Sequence, residues 1–278
     1  MNSRDNWPKV GMLMAGYNIV HVAIAPPDML EASLVKKVAA IVNKDLYGTR
    51  LLLAGKIPRI VANYQTIQIA ESVAESLRAL GLVAIVCDDS ELRKPSSVSF
   101  RARSMEPGDG EVIFWDKGGE ARIIKVKDVS LILKGTMQTY TEKEAIRTRM
   151  KFSLPATVLT GGIPIWRRVK DTTRNLSIQS ECFVRLYERM SLEPSVEIFQ
   201  YDFDYSFLGT KMASSSLANL STIITELRNT LPQAVFDDRL TEPFAVDLPF
   251  TMPGDDIKVN CKLIHLYHQA MRSLGPSA

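Results

Sequence analysis

A chain of 278 residues with 46% hydrophobic and 23% charged residues has ample material for one large or two ordinary globular domains, and its net charge of +3 by itself points to no partner. Three widely spaced cysteines, Cys87, Cys182 and Cys261, are odd in number and lack CxxC spacing, which excludes a disulfide framework or a zinc ribbon. No run reaches the ~20 apolar residues of a membrane span and the N-terminus lacks a cleavage site, so a soluble protein of the reducing cytoplasm is expected.

The first ninety residues alternate between strand and helix patterns. YNIVHVAIA (17–25) is β-rich and stopped by Pro26-Pro27. Asp28 with Glu31 has the spacing of a capping box, ahead of Leu30, Leu34, Val38 and Ile41 at helical intervals through Lys44. TRLLLA and PRIVANY flank Gly55-Lys56 and read as two short strands. A second helix is predicted from Thr66, with Ile69, Val73, Leu77 and Leu80 on one face and Gly81 as its stop, before the strand LVAIVCDD. The order βαββαβ over residues 1–92 is similar to a ferredoxin-like split domain.

A polar stretch from Glu91 to Ser99 marks a boundary, after which the texture turns to strands: SVSFRARSM, EVIFWDK, ARIIKVKDVSLILKG, ECFVRLYER and VEIFQYDFDY. Ser214 to Ser216 can cap a helix striped by Leu217, Leu220, Ile224 and Leu227 that ends near Pro232. Residues 97–236 thus read as a mainly antiparallel β-sandwich with a closing helix, similar by analogy to pleckstrin-homology-like domains. An insertion at 136–180 interrupts it, with a helix predicted over Glu142 to Lys151 and the loop TGGIPIWRRVKDTTRN. Residues 237–278 form a third segment, loop-like through Pro253 and helical from Asp255 or Asp256 to Ser273. The fold class is α+β.

Five places could carry chemistry. The stretch EIFQYDFDYSFLGTK (197–211) packs acids beside aromatics, and Asp202, Asp204 and Lys211 could serve a metal-dependent nuclease or phosphodiesterase. Strand alternation, however, puts Phe199, Tyr201, Phe203 and Tyr205 on one face and Ile198, Gln200, Asp202 and Asp204 on the other, the pattern of a half-buried strand with wet acids. Cys261, His265 and His268 at i, i+4 and i+7 could hold a transition metal, against which His265 shares a polar stripe with Lys258, Lys262, Gln269 and Arg272, and Cys261 packs beside Ile257 and Ile264. GTRLLLAGK is too long for a P-loop and has Ile57 where Ser or Thr is required; His21 has no serine or cysteine elbow near it and reads as a core or edge histidine.

The fifth place is the basic insertion. Between Lys143 and Arg174 there are eight basic residues against Glu144 and Asp171, a local net of +6 that leaves about −3 for the rest. Trp166, Arg167, Arg168, Lys170 and Arg174, with Tyr140 and Phe152 nearby, combine cations with stacking surfaces, as sites for an acidic protein or nucleic acid do. The leading expectation is a non-catalytic interaction or regulatory protein, without a cofactor, that binds an acidic partner through this insertion. The alternative is the metal-dependent nuclease using the acids of 197–204.

Overall fold

The computed structural model describes residues 19–94, 99–152, 166–241 and 255–273, with 139–152 and 166–178 described through their backbone. The linker around Pro95, the loop from Thr160 to Ile165 and the tail from Glu242 to Pro253 lie outside the described residues. The chain is a mixed α+β fold with three sheets and several helices, none of them, among the described residues, long and apolar enough to cross a membrane.

The N-terminal sheet is built on β1 (Val20–Ile24), buried at every position because both of its faces are covered. α1 (Ala32–Val42) follows, with Glu31 rather than Asp28 at its N-cap and Asn43 in the left-handed conformation at its end. Next comes a correction: TRLLLA is helical, within α2 (Leu46–Leu53), because Asp45 caps Gly48 N–H at 2.7 Å and the leucine run that follows favours helix locally. β2 (Arg59–Tyr64), α3 (Ile67–Arg78), β3 (Ala84–Asp88) and the single turn α4 (Asp89–Arg93) complete the unit. The sheet has three antiparallel strands in the order β2-β1-β3, one fewer than a split βαββαβ domain requires. In α3 the buried face is Ala70, Ala74 and Leu77, while the expected Ile69 is exposed.

Two further sheets follow. β5 (Ser104–Pro107), β6 (Glu111–Trp115) and β7 (Ala121–Lys125) form an antiparallel meander. The five-stranded sheet contains β4 (Arg101–Ala102), β8 (Val129–Phe152), β9 (Trp166–Glu188), β10 (Val196–Phe199) and β11 (Val235–Leu240), in the order β11-β8-β9-β10-β4. Its outer pairs, β11 with β8 and β10 with β4, are parallel. The predicted helix between 216 and 230 is present as α5 (Ser216–Thr230), whose Leu220, Ile223, Ile224 and Leu227 pack with Phe114, Val129, Ile132 and Leu186 in one core; Leu217 stays exposed.

The opposite face of the five-stranded sheet is covered by α6 (Asp255–Ser273). Ile257, Cys261 and Ile264 meet Leu131, Leu133, Phe183 and Tyr187 there. Leu263, on another side of the same helix, meets Ala23, Ile85, Cys87 and Leu92 of the N-terminal unit. One helix therefore fills the space between two sheets, and each fully buried side chain of leucine size it places there stabilises the fold by about 1.5–3 kcal/mol.

β8 and β9 are 24 and 23 residues long, far more than their sheet neighbours. After a register shift between Val129 and Leu131 they pair continuously from Leu131↔Tyr187 to Phe152↔Trp166, yet β11 reaches only Leu131 to Gly135 and β10 only Phe183 to Leu186. Beyond Met137↔Glu181 the described residues form a two-stranded ribbon, roughly 50 Å long at about 3.4 Å per residue. The expected helix over Glu142 to Lys151 is strand in this ribbon. Glu142, Lys143, Glu144 and Ala145 favour helix locally, but the segment pairs residue by residue with β9, where Thr173, Thr172 and Val169 stand opposite Ala145, Ile146 and Arg149, and this long-range pairing decides the outcome.

Candidate functional site

The acidic stretch 197–211 does not run as a long strand. β10 ends at Phe199 and the chain turns, leaving Tyr201 exposed and Phe203 buried, so the expected alternation of wet acids fails. Each carboxylate has its own partner. Glu197 is buried and lies 2.7 Å from Arg185 Nε, with Ser99 Oγ also donating to it. Asp202 pairs with Arg101 and lies 3.5 Å from Arg103, whose guanidinium also donates to the Asp202 carbonyl at 2.6 Å. Asp204 accepts from the backbone N–H and hydroxyl of Ser206 at 2.9 and 3.0 Å, and Lys211 pairs with Glu226 at 2.7 Å. Glu197 thus ties β10 to β9, Asp202 ties the following turn to β4, and Asp204 holds its own turn. Among the described residues no three histidine, cysteine, aspartate or glutamate side chains are grouped as a metal ion would need.

The triplet on α6 is likewise pulled apart. Cys261 is fully buried beside Ile257 and Ile264, as expected from its neighbours, and burial pushes its thiol up to about 11. His265 is a correction: it is not solvated but fully buried, stacked on Tyr187 with ring centroids 4.5 Å apart, its Nε2 2.8 Å from the Ser191 carbonyl oxygen. Burial pushes its pKa down to about 4, against the raising effect of the Ser191 hydrogen bond and with further lowering from His268 and Arg272. Lys262, placed by sequence on the same wet stripe, is also buried and reaches Glu193 at 2.7 Å and the Glu91 carbonyl at 2.9 Å. The stripe is polar because it threads between two bodies of the fold. His268 instead meets Asp237 at 2.7 Å. Burial opposes ionisation of Asp237, but hydrogen bonds from His268 and Arg239 hold its carboxyl well below the usual carboxylate range.

His21 is buried on β1, its two ring nitrogens each 2.7 Å from an oxygen, of Asn63 and of Asp89. Directly opposite it in register stands Cys87, a histidine–cysteine neighbourhood that sequence spacing did not reveal. Burial and the nearby Asp88, Glu91 and Asp89 push the Cys87 thiol up to about 12, so it is held as the unreactive protonated form.

The basic insertion is where the structure gathers the sequence-predicted site. Trp166, Arg167, Arg168, Lys170 and Arg174 all lie on β9, and the register sets them opposite Phe152, Lys151, Met150, Thr148 and Glu144. Because paired residues share a face and successive ones alternate, Lys143, Arg147, Arg149, Lys151 and Arg167 occupy positions on one face of the ribbon. Arg168, Lys170 and Arg174 occupy positions on the other, along with Ile146, Met150, Phe152 and Trp166. The sequence reading counted Arg147, Arg149 and Lys151 in the basic insertion but set them on a helix, so it did not place them on one face with Arg167; the alternating run RTRMK was the available signal. From Ile146 to the Phe152–Trp166 pair the two strands carry six basic residues against the single acid Asp171. Comparison with models of known families, with curated proteins and with solved structures finds no match.

Proposed function

We propose that the chain is a non-catalytic interaction protein that holds an acidic partner with the basic ribbon of β8 and β9. The observation that carries this reading is the concentration of cations on a paired two-stranded segment that has no third strand among the described residues. Among the described residues the ribbon is held by its own ladder alone, so its sequence is free to serve a partner rather than a core. The packing of the meander and the five-stranded sheet around α5 supports a pleckstrin-homology-like reading of residues 97–236, with the ribbon as an overgrown hairpin, beside an N-terminal unit of residues 1–92. Three free cysteines fit a reducing compartment such as the cytoplasm. The nuclease reading is the weaker one, because Glu197, Asp202 and Asp204 are each engaged with separate protein partners.

Retention on immobilised heparin, a generic polyanion, tests the reading. The wild-type chain is expected to need distinctly more salt for elution than a variant with Arg147, Arg149, Arg167 and Arg168 all changed to Ala, at matched far-UV circular dichroism. Identical elution of the two would remove the ribbon from the function.

A further inference from the structure

We infer that the acidic partner is a nucleic-acid duplex, gripped along its phosphates by the distal ribbon. This rests on the ribbon being the binding element, and it follows from how the charges are laid out. The six basic residues between Ile146–Phe152 and Trp166–Thr172 are Arg147, Arg149, Lys151, Arg167, Arg168 and Lys170. They fall within seven consecutive strand pairs, roughly 20 Å of ribbon at about 3.4 Å per residue. A duplex presents one phosphate per ~1.7 Å of axis, so that length faces roughly a dozen negative charges of a single sign. A protein surface of mixed charge does not offer such a row.

The distribution between faces points the same way. Register puts Arg147, Arg149, Lys151 and Arg167 on one face and Arg168 and Lys170 on the other. A flat acidic patch on a protein would meet only one of these sets. A groove walled by two phosphate strands meets both, and the major groove, about 12 Å wide, admits a two-stranded β-ribbon. The acids Glu142 and Glu144 stand on the body side of these seven pairs, so positive charge is concentrated in the distal pairs.

Single strands are disfavoured by composition. Proteins that hold unpaired bases rely on a series of aromatic platforms, whereas this distal segment has one aromatic pair, Phe152 opposite Trp166, against six cations. The cations of both faces are assigned to phosphates, and phosphate contacts carry no sequence information, so the binding is sequence-tolerant.

The test is fluorescence anisotropy of the full-length chain with four labelled probes: a 24-base-pair DNA duplex, its scrambled counterpart, one of its single strands and a polyglutamate peptide, from 50 to 300 mM KCl. Expected are near-equal affinities for the two duplexes, at least tenfold tighter than for the single strand or the peptide, and a log–log salt slope of roughly −5 for six phosphate contacts. Arg167→Ala with Arg168→Ala should weaken duplex binding roughly 30-fold at 0.15 M salt and bring the slope to roughly −3.5. Single-strand binding as tight as the duplex, or equal binding of polyglutamate, overturns the duplex assignment while leaving a heparin-binding ribbon standing. Failure to bind any of the four, together with unchanged heparin retention in the arginine variants, defeats both readings. If the double variant does not fold, Arg147→Gln with Arg149→Gln on the opposite strand gives the same two readouts.

Discussion

The near and far halves of the same hairpin obey different rules. In the near half, Leu131, Ile132, Leu133, Phe183, Val184, Leu186 and Tyr187 are buried on both faces, between α5 and α6. Gly135 marks the edge of this zone: a Cβ there would lie inside contact distance of the Phe183 ring and only 3.1 Å from Leu240 Cβ, so only glycine lets the strands close. In the far half, charge and threonine replace leucine, and no third strand remains among the described residues. Pairing geometry is continuous across the change. The ladder alone therefore does not distinguish core from arm; side-chain composition does.

The comparison breaks first in the near half. Glu197→Ala leaves the buried Arg185 guanidinium without its carboxylate, and removing one partner of a buried pair destabilises by about 3–5 kcal/mol. Urea unfolding should register this as a large fall in midpoint. A loss below about 1 kcal/mol would mean the pair is not what locks β9 to β10.

Next in size is an acid effect. His265, held at about 4 in the fold against an ordinary value near 6.5, favours folding only while neutral. Its contribution is fully present above pH ~6.5 and is lost as pH falls from there toward 4, on the order of 3 kcal/mol over the whole window. Asp237, depressed by His268 and Arg239, keeps its contribution in that window and loses it only below the ordinary carboxylate range. Unfolding free energies measured from pH 7 to 4.5 should fall steeply in the wild type and flatten in His265→Phe, which preserves the stack on Tyr187. An unchanged slope in the variant would assign the acid sensitivity to another group.

The smallest effect belongs to the far half. Trp166→Ala should shift stability by within about 0.5 kcal/mol, because among the described residues its backbone position pairs with β8 alone. A loss of ~3–5 kcal/mol, typical of a deleted core aromatic, would show that the ribbon folds back as scaffold.

What was legible in the sequence follows the same division. The apolar runs of β1, β3 and β9 and the stripe of α5 identify themselves, since burial is written in their composition. The leucines of α2 and the Glu-Lys-Glu-Ala of β8 did not, because short segments take their state from caps and partners distant in sequence. β11 was missed for a similar reason: VFDDRL alternates poorly and owes its strand state to Leu131, Ile132 and Leu133 beside it. His265 and Lys262 were read as wet because a polar stripe normally faces water, and nothing local announces that a second body covers it. The cations of the ribbon were all visible, but their assembly into two faces required the register.

The placement of α6 bears on when the molecule can finish folding during synthesis. Lys262 bonds to the Glu91 carbonyl across 171 positions of chain, and Leu263 covers Ala23, Ile85, Cys87 and Leu92 across similar spans. At translation speeds of about 5–20 residues per second, the N-terminal sheet waits roughly ten to thirty seconds with one apolar side bare. During that interval the nascent chain has helices on one side of the sheet and nothing native for the other, a state that chaperones recognise and that crowding on polysomes makes adhesive. Native closure is thus timed by the ribosome, and conditions that slow elongation past residue 94 lengthen the exposed interval in proportion.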